Sequence, residues 1–253
     1  MSMIQVEQTE RVAWVTLNNP PLNILTPELL DELGKALDGV RATPASVVVL
    51  DATPEARVFS AGIHVANHKP PNVAAMLAGF HGVLNRLHAM PQVTLAALDN
   101  SAYGGGFELA LACDMVVASR AAVVGFPEIK IACFPPVGVA ALPALCARAM
   151  ASDLILTGDP ISAERAREFG LLSRVFAPEK FGEELRALVA QLAERSPAVL
   201  RLTAGLVRRR FGTAYTVELA AAERAFKEEL AKLPDMAEGI EAFLDKRAPK
   251  WED

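Results

Sequence analysis

Two hydrophobic periods alternate along the first two thirds of this chain, and then one of them stops. Residues 11–17 (RVAWVTL) carry β-branched and aromatic side chains at period two and predict a strand. Thr26-Pro27 then offers an N-cap and a first-turn proline, followed by Leu30, Leu33, Leu37 and Val40 on one helical face. Residues 46–51 (SVVVLD) read as a short strand buried on both faces. A loop over 52–62, a helix over 72–88 and strands over 93–98, 115–118 and 122–126 follow. The alternation runs to about residue 176 and predicts layered α/β packing. From Pro178 the helical period stands alone, over 179–194, 198–211, 214–233 and 236–246. Breaks fall at Ser196-Pro197, Gly212 and Pro234-Asp235, and Leu219, Ala222, Phe226 and Leu230 form one apolar stripe. The reading is an α/β body over 1–195 and a helical segment over 196–253.

Composition narrows the function. Of 253 residues, 25 are basic and 30 acidic, a net charge of −5 that disfavours a general nucleic-acid binder. Cysteines 113, 133 and 146 form no CxxC pair and leave an odd count, as expected for a reducing, cytoplasmic setting. The N-terminal residues carry early charges and no apolar core, so no signal peptide is expected. The longest uncharged run, 131–147, is interrupted by Pro135, Pro136 and Pro143 and is too short to span a membrane.

Three segments carry candidate chemistry: Phe59-Ser60-Ala61-Gly62-Ile63-His64-Val65, Tyr103-Gly104-Gly105-Gly106-Phe107-Glu108 and Gly125-Phe126-Pro127-Glu128. Each has an ordinary explanation. A glycine run after a strand can be a tight turn, and Glu108 can be a first-turn acid complementing a helix dipole. The functional reading links them. Glycines at a helix start leave backbone N–H groups open to a ligand, and two such groups can hold a carbonyl oxygen as it gains charge. Two glutamates beside that point can divide the addition of water, one taking a proton and the other giving one.

FSAGI, GGGFELALACD and FPEIKI, in that order and with Glu128 twenty residues after Glu108, resemble the enoyl-CoA hydratase/isomerase (crotonase) superfamily. The resemblance implies a spiral of ββα units followed by a helical segment that builds a homotrimer or a dimer of trimers. It implies an acyl-CoA thioester as substrate, with no cofactor, because CoA is part of that substrate. Carried across, the oxyanion donors fall on the backbone N–H groups of Ile63 and Gly105 and the catalytic carboxylates on Glu108 and Glu128. Retention of both carboxylates favours hydration, with Glu128 protonating the α-carbon and Glu108 handling the water. Isomerisation is the alternative within the superfamily. Ala61, Val65, Gly104 and Phe134 are expected at the acyl pocket, and Phe243 and Lys246 near the adenosine-phosphate end of CoA.

Two positions depart from the common pattern: His64 stands where hydratases carry aspartate, and Phe126 where they often carry glutamine. Both are expected to touch substrate. Cys133-Phe134-Pro135-Pro136, read as a turn, is similar to the cyclohexa-1,5-diene-1-carbonyl-CoA hydratases. So are Ala66-Asn67-His68, Phe80-His81-Gly82 and the tail ending at Trp251. This likeness implies a cyclic dienoyl thioester.

Other constellations are weaker. Gly104 and Gly106 imitate part of a dinucleotide fingerprint, but Leu109 stands where its third glycine belongs. His64 and His68 have metal-like spacing, yet no third ligand follows and Lys69-Pro70-Pro71 breaks any helix, so no metal is expected. Cys113 and Cys133 read as packing, His81 and His88 as ordinary helix residues, and Val58 denies Ser60 a hydrolase elbow. Arg208-Arg209-Arg210 is the best support for an RNA-binding or interaction module, and a solvated face or a CoA-phosphate contact explains it equally well.

Overall fold

A computed structural model describes residues 2–68 and 71–251, with the side chains of 210–214 outside the described set. The elements in chain order are β1 (Ile4–Gln8), β2 (Val12–Leu17), α1 (Pro27–Arg41), β3 (Val47–Ala52), α2 (Val73–His88), β4 (Val93–Leu98), β5 (Ala102–Tyr103) and α3 (Gly105–Leu111). Next come β6 (Met115–Ser119), β7 (Val123–Gly125), α4 (Pro136–Leu145), α5 (Arg148–Thr157), β8 (Ile161–Ser162) and α6 (Ala163–Glu168). The chain continues through β9 (Arg174–Phe176), α7 (Phe181–Ala193), α8 (Pro197–Glu228) and α9 (Pro234–Leu244).

The main sheet has the order β1-β2-β3-β4-β6-β9, antiparallel at β1–β2 and parallel thereafter. Its central strands alternate between two cores. Val48, Leu50, Ala96, Leu98, Val116 and Ala118 face the large cluster that includes α1 and α2. Val47, Val49, Leu95, Ala97 and Val117 face α7 through Phe181, Leu185, Leu188 and Val189. Cover on both faces explains why residues 47–50 (VVVL) are apolar without interruption.

A second ladder runs beside the sheet, with Leu25 bridging Ile63, Ser60 bridging Ala102, Ala102 paired with Val124, and Val124 with Ile161. Each turn of the chain thus lays one strand in the large sheet and a short piece in the small one. That is a spiral of ββα units.

The helical segment differs from expectation at Gly212. A single helix, α8, spans Pro197–Glu228 without the expected break. A helical glycine costs only about 1 kcal/mol relative to alanine. Contacts on either side outweigh it: Tyr215 and Leu219 join the main core, and Phe226 is 1% exposed. Arg208 turns inward to pair with Asp114 and donates to the carbonyl oxygens of Met90 and Gln92. It is therefore a structural anchor rather than part of a free basic strip; Arg210 lies outside the described side chains, and Lys69-Pro70 outside the described residues.

Pro135-Pro136 also corrects a prediction. Instead of forming a turn, Pro136 opens α4, where its missing N–H leaves no helical bond unmade. No helix among the described residues is long and apolar enough to cross a membrane.

Candidate active site

The three sequence motifs are stitched edge to edge by backbone hydrogen bonds. Tyr103 N donates to Ser60 O at 3.0 Å, and Gly104 N donates to Gly125 O at 2.9 Å. Each glycine of the run has its own reason. Gly104 sits at φ +51°, and a Cβ there would stand 2.4 Å from Glu128 Oε1. A Cβ on Gly106 would meet Ser60 O at 2.5 Å. On Gly105 it would press on the Ile63 side chain at 3.0 Å, with Ile63 N only 3.5 Å away. The N–H groups of Ile63 and Gly105 thus lie side by side, and neither donates to a protein acceptor among the described residues. Gly105 is the first residue of α3, where an N–H has no intrahelical partner.

Glu108 is 2% exposed, and its Oε1 accepts a 2.8 Å bond from Gly138 N in the first turn of α4. Burial raises its pKa above the usual 4.5, and the N–H groups of Gly138 and Val137 offset part of that rise. Glu128 lies in the 3-10 segment Pro127–Ile131 after β7, and its Oε2 is closed to water without a hydrogen-bond partner. Burial raises its pKa too, and the charge on Glu108 pushes it further in the same direction. One carboxyl is therefore held by a helix N-terminus, while the other has a neighbouring acid and only its own backbone N–H to offset it.

A cavity of about 430 Å³ joins these groups. Ala61, Ile63, Val65, Gly104 and Gly105 line it, as do Glu108, Glu128, Phe134 and Phe243. Three expected contacts stand elsewhere. His64 is exposed, its Nδ1 accepts from Ala66 N at 3.3 Å, and it is not among the residues that line the cavity. Phe126 is 0% exposed and packs on Phe107 with ring centroids 5.3 Å apart, so it supports the glutamate loop from the core. Lys246 is exposed in a left-handed turn beyond α9, and Arg247, held by Glu238, lines the mouth instead.

His68 and His81 both line the cavity. His81 is a cavity-lining position that sequence reasoning took for an ordinary helix residue, because its partner, Glu223, lies 142 residues away on α8. Burial pushes the Cys113 and Cys133 thiols up to about 12, which removes them as nucleophiles at neutral pH. Ser60 Oγ donates to Asn23 O at 2.8 Å and accepts from Gly62 N at 3.0 Å, so it holds the first loop. No metal-holding group of three or more His, Cys, Asp or Glu occurs among the described residues.

Residues 7–253 match the enoyl-CoA hydratase/isomerase family model. The chain belongs to the enoyl-CoA hydratase/isomerase family. It is 35% identical over 254 residues to the 2,3-dehydroadipyl-CoA hydratase of Escherichia coli K12, covering 99% of each chain. Identity to the cyclohexa-1,5-dienecarbonyl-CoA hydratase of Thauera aromatica is 30% over 251 residues, covering 99% of this chain and 96% of that one. The fold superposes on the crystal structure of an enoyl-CoA hydratase from Mycobacterium avium subsp. paratuberculosis K-10 with a TM-score of 0.88, at 26% identity and 99% coverage of both chains. At the level of its family, this is an enzyme of the enoyl-CoA hydratase type with the crotonase fold.

Proposed function

We propose that this enoyl-CoA hydratase/isomerase family member adds water across a C=C bond conjugated to a CoA thioester. The observation that carries this reading is the pairing of two adjacent, unengaged N–H groups with two buried carboxyls of unequal environment around one cavity. The thioester oxygen would sit between Ile63 N and Gly105 N, which take up its charge as the enolate forms. Glu108, whose Oε1 accepts from Gly138 N in the first turn of α4, takes a proton from water in its ionised form as the water oxygen bonds the β-carbon. Glu128, the acid with no stabilising donor on Oε2, gives its proton to the α-carbon. Each turnover leaves one proton on Glu108 and one missing from Glu128, and transfer between them or through water restores the pair.

The 30% identity to the Thauera aromatica hydratase supports a cyclic dienoyl thioester as a candidate acyl group. Phe243 and Arg247 at the mouth suit the nucleotide end of CoA. Exposed Val199, Leu202 and Leu206 on α8, with Leu244 beyond α9's core face, support self-association as a homotrimer or a dimer of trimers. The proposed division at 195/196 places that surface in the helical segment.

The test is loss of conjugated absorbance from crotonyl-CoA and from a cyclic dienoyl-CoA. Hydration should occur, and Glu128→Gln should lower kcat by about 10²–10⁴. Undiminished turnover by Glu128→Gln on both substrates would remove its role as the acid.

A further inference from the structure

One polar group in the cavity has no part in this chemistry. His81 projects from α2, is 4% exposed, and lines the cavity in company with Met76, Leu77, Phe80 and Phe226. Its Nδ1 lies 2.5 Å from Glu223 Oε1, and Glu223 Oε2 accepts from Lys227 Nζ at 3.1 Å. The other ring nitrogen, Nε2, is buried and has no hydrogen-bond partner. A structural histidine in an apolar wall would be expected to use both nitrogens, because a buried polar atom without a partner is destabilising.

The arrangement favours one tautomer. Burial lowers the pKa of His81 despite the bond to Glu223, which favours the neutral ring. Desolvation opposes the charge on Glu223, but the bonds from His81 and Lys227 outweigh it and lower its pKa. A neutral imidazole beside an ionised carboxylate donates Nδ1–H to it, leaving Nε2 with a lone pair. Glu223 is not on the cavity lining whereas His81 is, and Nε2 is the ring nitrogen without a partner.

We propose that His81, oriented by Glu223, is a specificity-determining residue that accepts a hydrogen bond from a hydroxyl on the acyl group. The site then selects a hydroxylated acyl thioester over its hydrocarbon counterpart, and rejects a carboxylate at the same place because an acceptor backed by an anion repels it. A single acceptor in an apolar wall discriminates strongly, since a ligand lacking the donor leaves that acceptor unsatisfied. The inference rests on the reading that the cavity holds an acyl-CoA thioester.

Binding of saturated thioesters to the full chain separates this inference from the catalytic reading. Calorimetric titrations would compare hexanoyl-CoA with its 4-, 5- and 6-hydroxy derivatives and with adipyl-CoA. At least one hydroxy derivative should bind about tenfold more tightly than hexanoyl-CoA, and adipyl-CoA more weakly. His81→Phe should abolish the preference for the hydroxyl, and Glu223→Gln should reduce it. A merely structural role would weaken all the ligands alike. Equal affinities across the wild-type series, or a preference that survives in His81→Phe, would overturn the proposal. Should the variants fail to fold, ¹⁵N NMR of the wild-type imidazole decides: a protonated Nδ1 with a bare Nε2 supports it, and a protonated Nε2, in the other tautomer or in the imidazolium, sinks it. Hydroxyl preference without hydration of any enoyl-CoA would refute the catalytic reading and leave His81's role standing.

Discussion

Glu128 and Gly104 occupy one volume problem. The carboxyl reaches the space that a side chain on residue 104 would fill, at 2.4 Å from its Cβ. Gly104→Ala is therefore expected to displace Glu128, add strain at φ +51°, and lower kcat on crotonyl-CoA by at least about tenfold, equivalent to about 1.4 kcal/mol. Steady-state kinetics beside a thermal melt check this, and unchanged kcat would refute it. Burial also sets a pH signature. The pKa of Glu128 is raised above its ordinary 4.5, so its full contribution to stability is present below that value and is lost as pH rises through the folded-state pKa. Glu128→Gln cannot ionise, so the Tm of the variant minus that of the wild type should increase between about pH 5 and about pH 9. A constant difference by calorimetry would contradict the burial argument. The glutamates were legible in the sequence because each follows its glycine or proline within a few residues. Phe126 was not: its place where hydratases often carry glutamine suggested substrate, whereas the side chain packs inward onto Phe107.

Helix α8 shows what local sequence could and could not settle at the level of an element. The strands over 93–98 and 115–118 and the helix over 72–88 were readable because their own periodicity is strong. Short strands β5, β8 and β9 were not, since two or three residues carry no period and exist only through their ladder partners. In α8, Gly212 looked like a boundary, yet the helix is held across it by distant groups. Foremost among these is Arg208, whose Nε lies 2.6 Å from Asp114 Oδ1, with side-chain exposures of 15% and 13% for the pair. Asp114 in turn accepts from Thr94 N at 2.8 Å, tying α8 to β4. Arg208→Ala takes the guanidinium from that carboxylate, which keeps its bonds from Thr94, and from two carbonyl oxygens. It should destabilise the chain by about 3 kcal/mol in urea unfolding. Arg209→Ala, on an exposed position, should fall within about 0.5 kcal/mol. Equal effects would mean that the arginine run is a surface feature after all.

For the whole molecule, the open question is what covers the apolar surface of the helical segment. Val199 is 60% exposed, Leu202 65% and Leu206 53%, at helical spacing on one side of α8. Sedimentation velocity should show a trimer or a larger multiple of it. Leu202→Glu with Leu206→Glu should shift the protein toward the monomer, and a monomeric wild type at micromolar concentration would remove the self-association proposal. The spiral itself was accessible from the motif order, but its second ladder was not. Pairings such as Ser60 with Ala102 involve one residue per turn, and no single-residue contact leaves a pattern in composition.

That ladder has a consequence for how such a protein can change. The groups proposed to hold the thioester oxygen are backbone amides, fixed by the bonds from Tyr103 N to Ser60 O and from Gly104 N to Gly125 O. Replacing a side chain cannot delete an amide, so carbonyl activation is inherited with the fold. The acids and the His81 imidazole are side chains on separate elements and can be exchanged one at a time. Reaction and substrate range can drift by point substitution while the means of activating the thioester stays constant. Efforts to redirect this enzyme are best aimed at the facing surfaces of α2 and α8, leaving the glycine loops untouched.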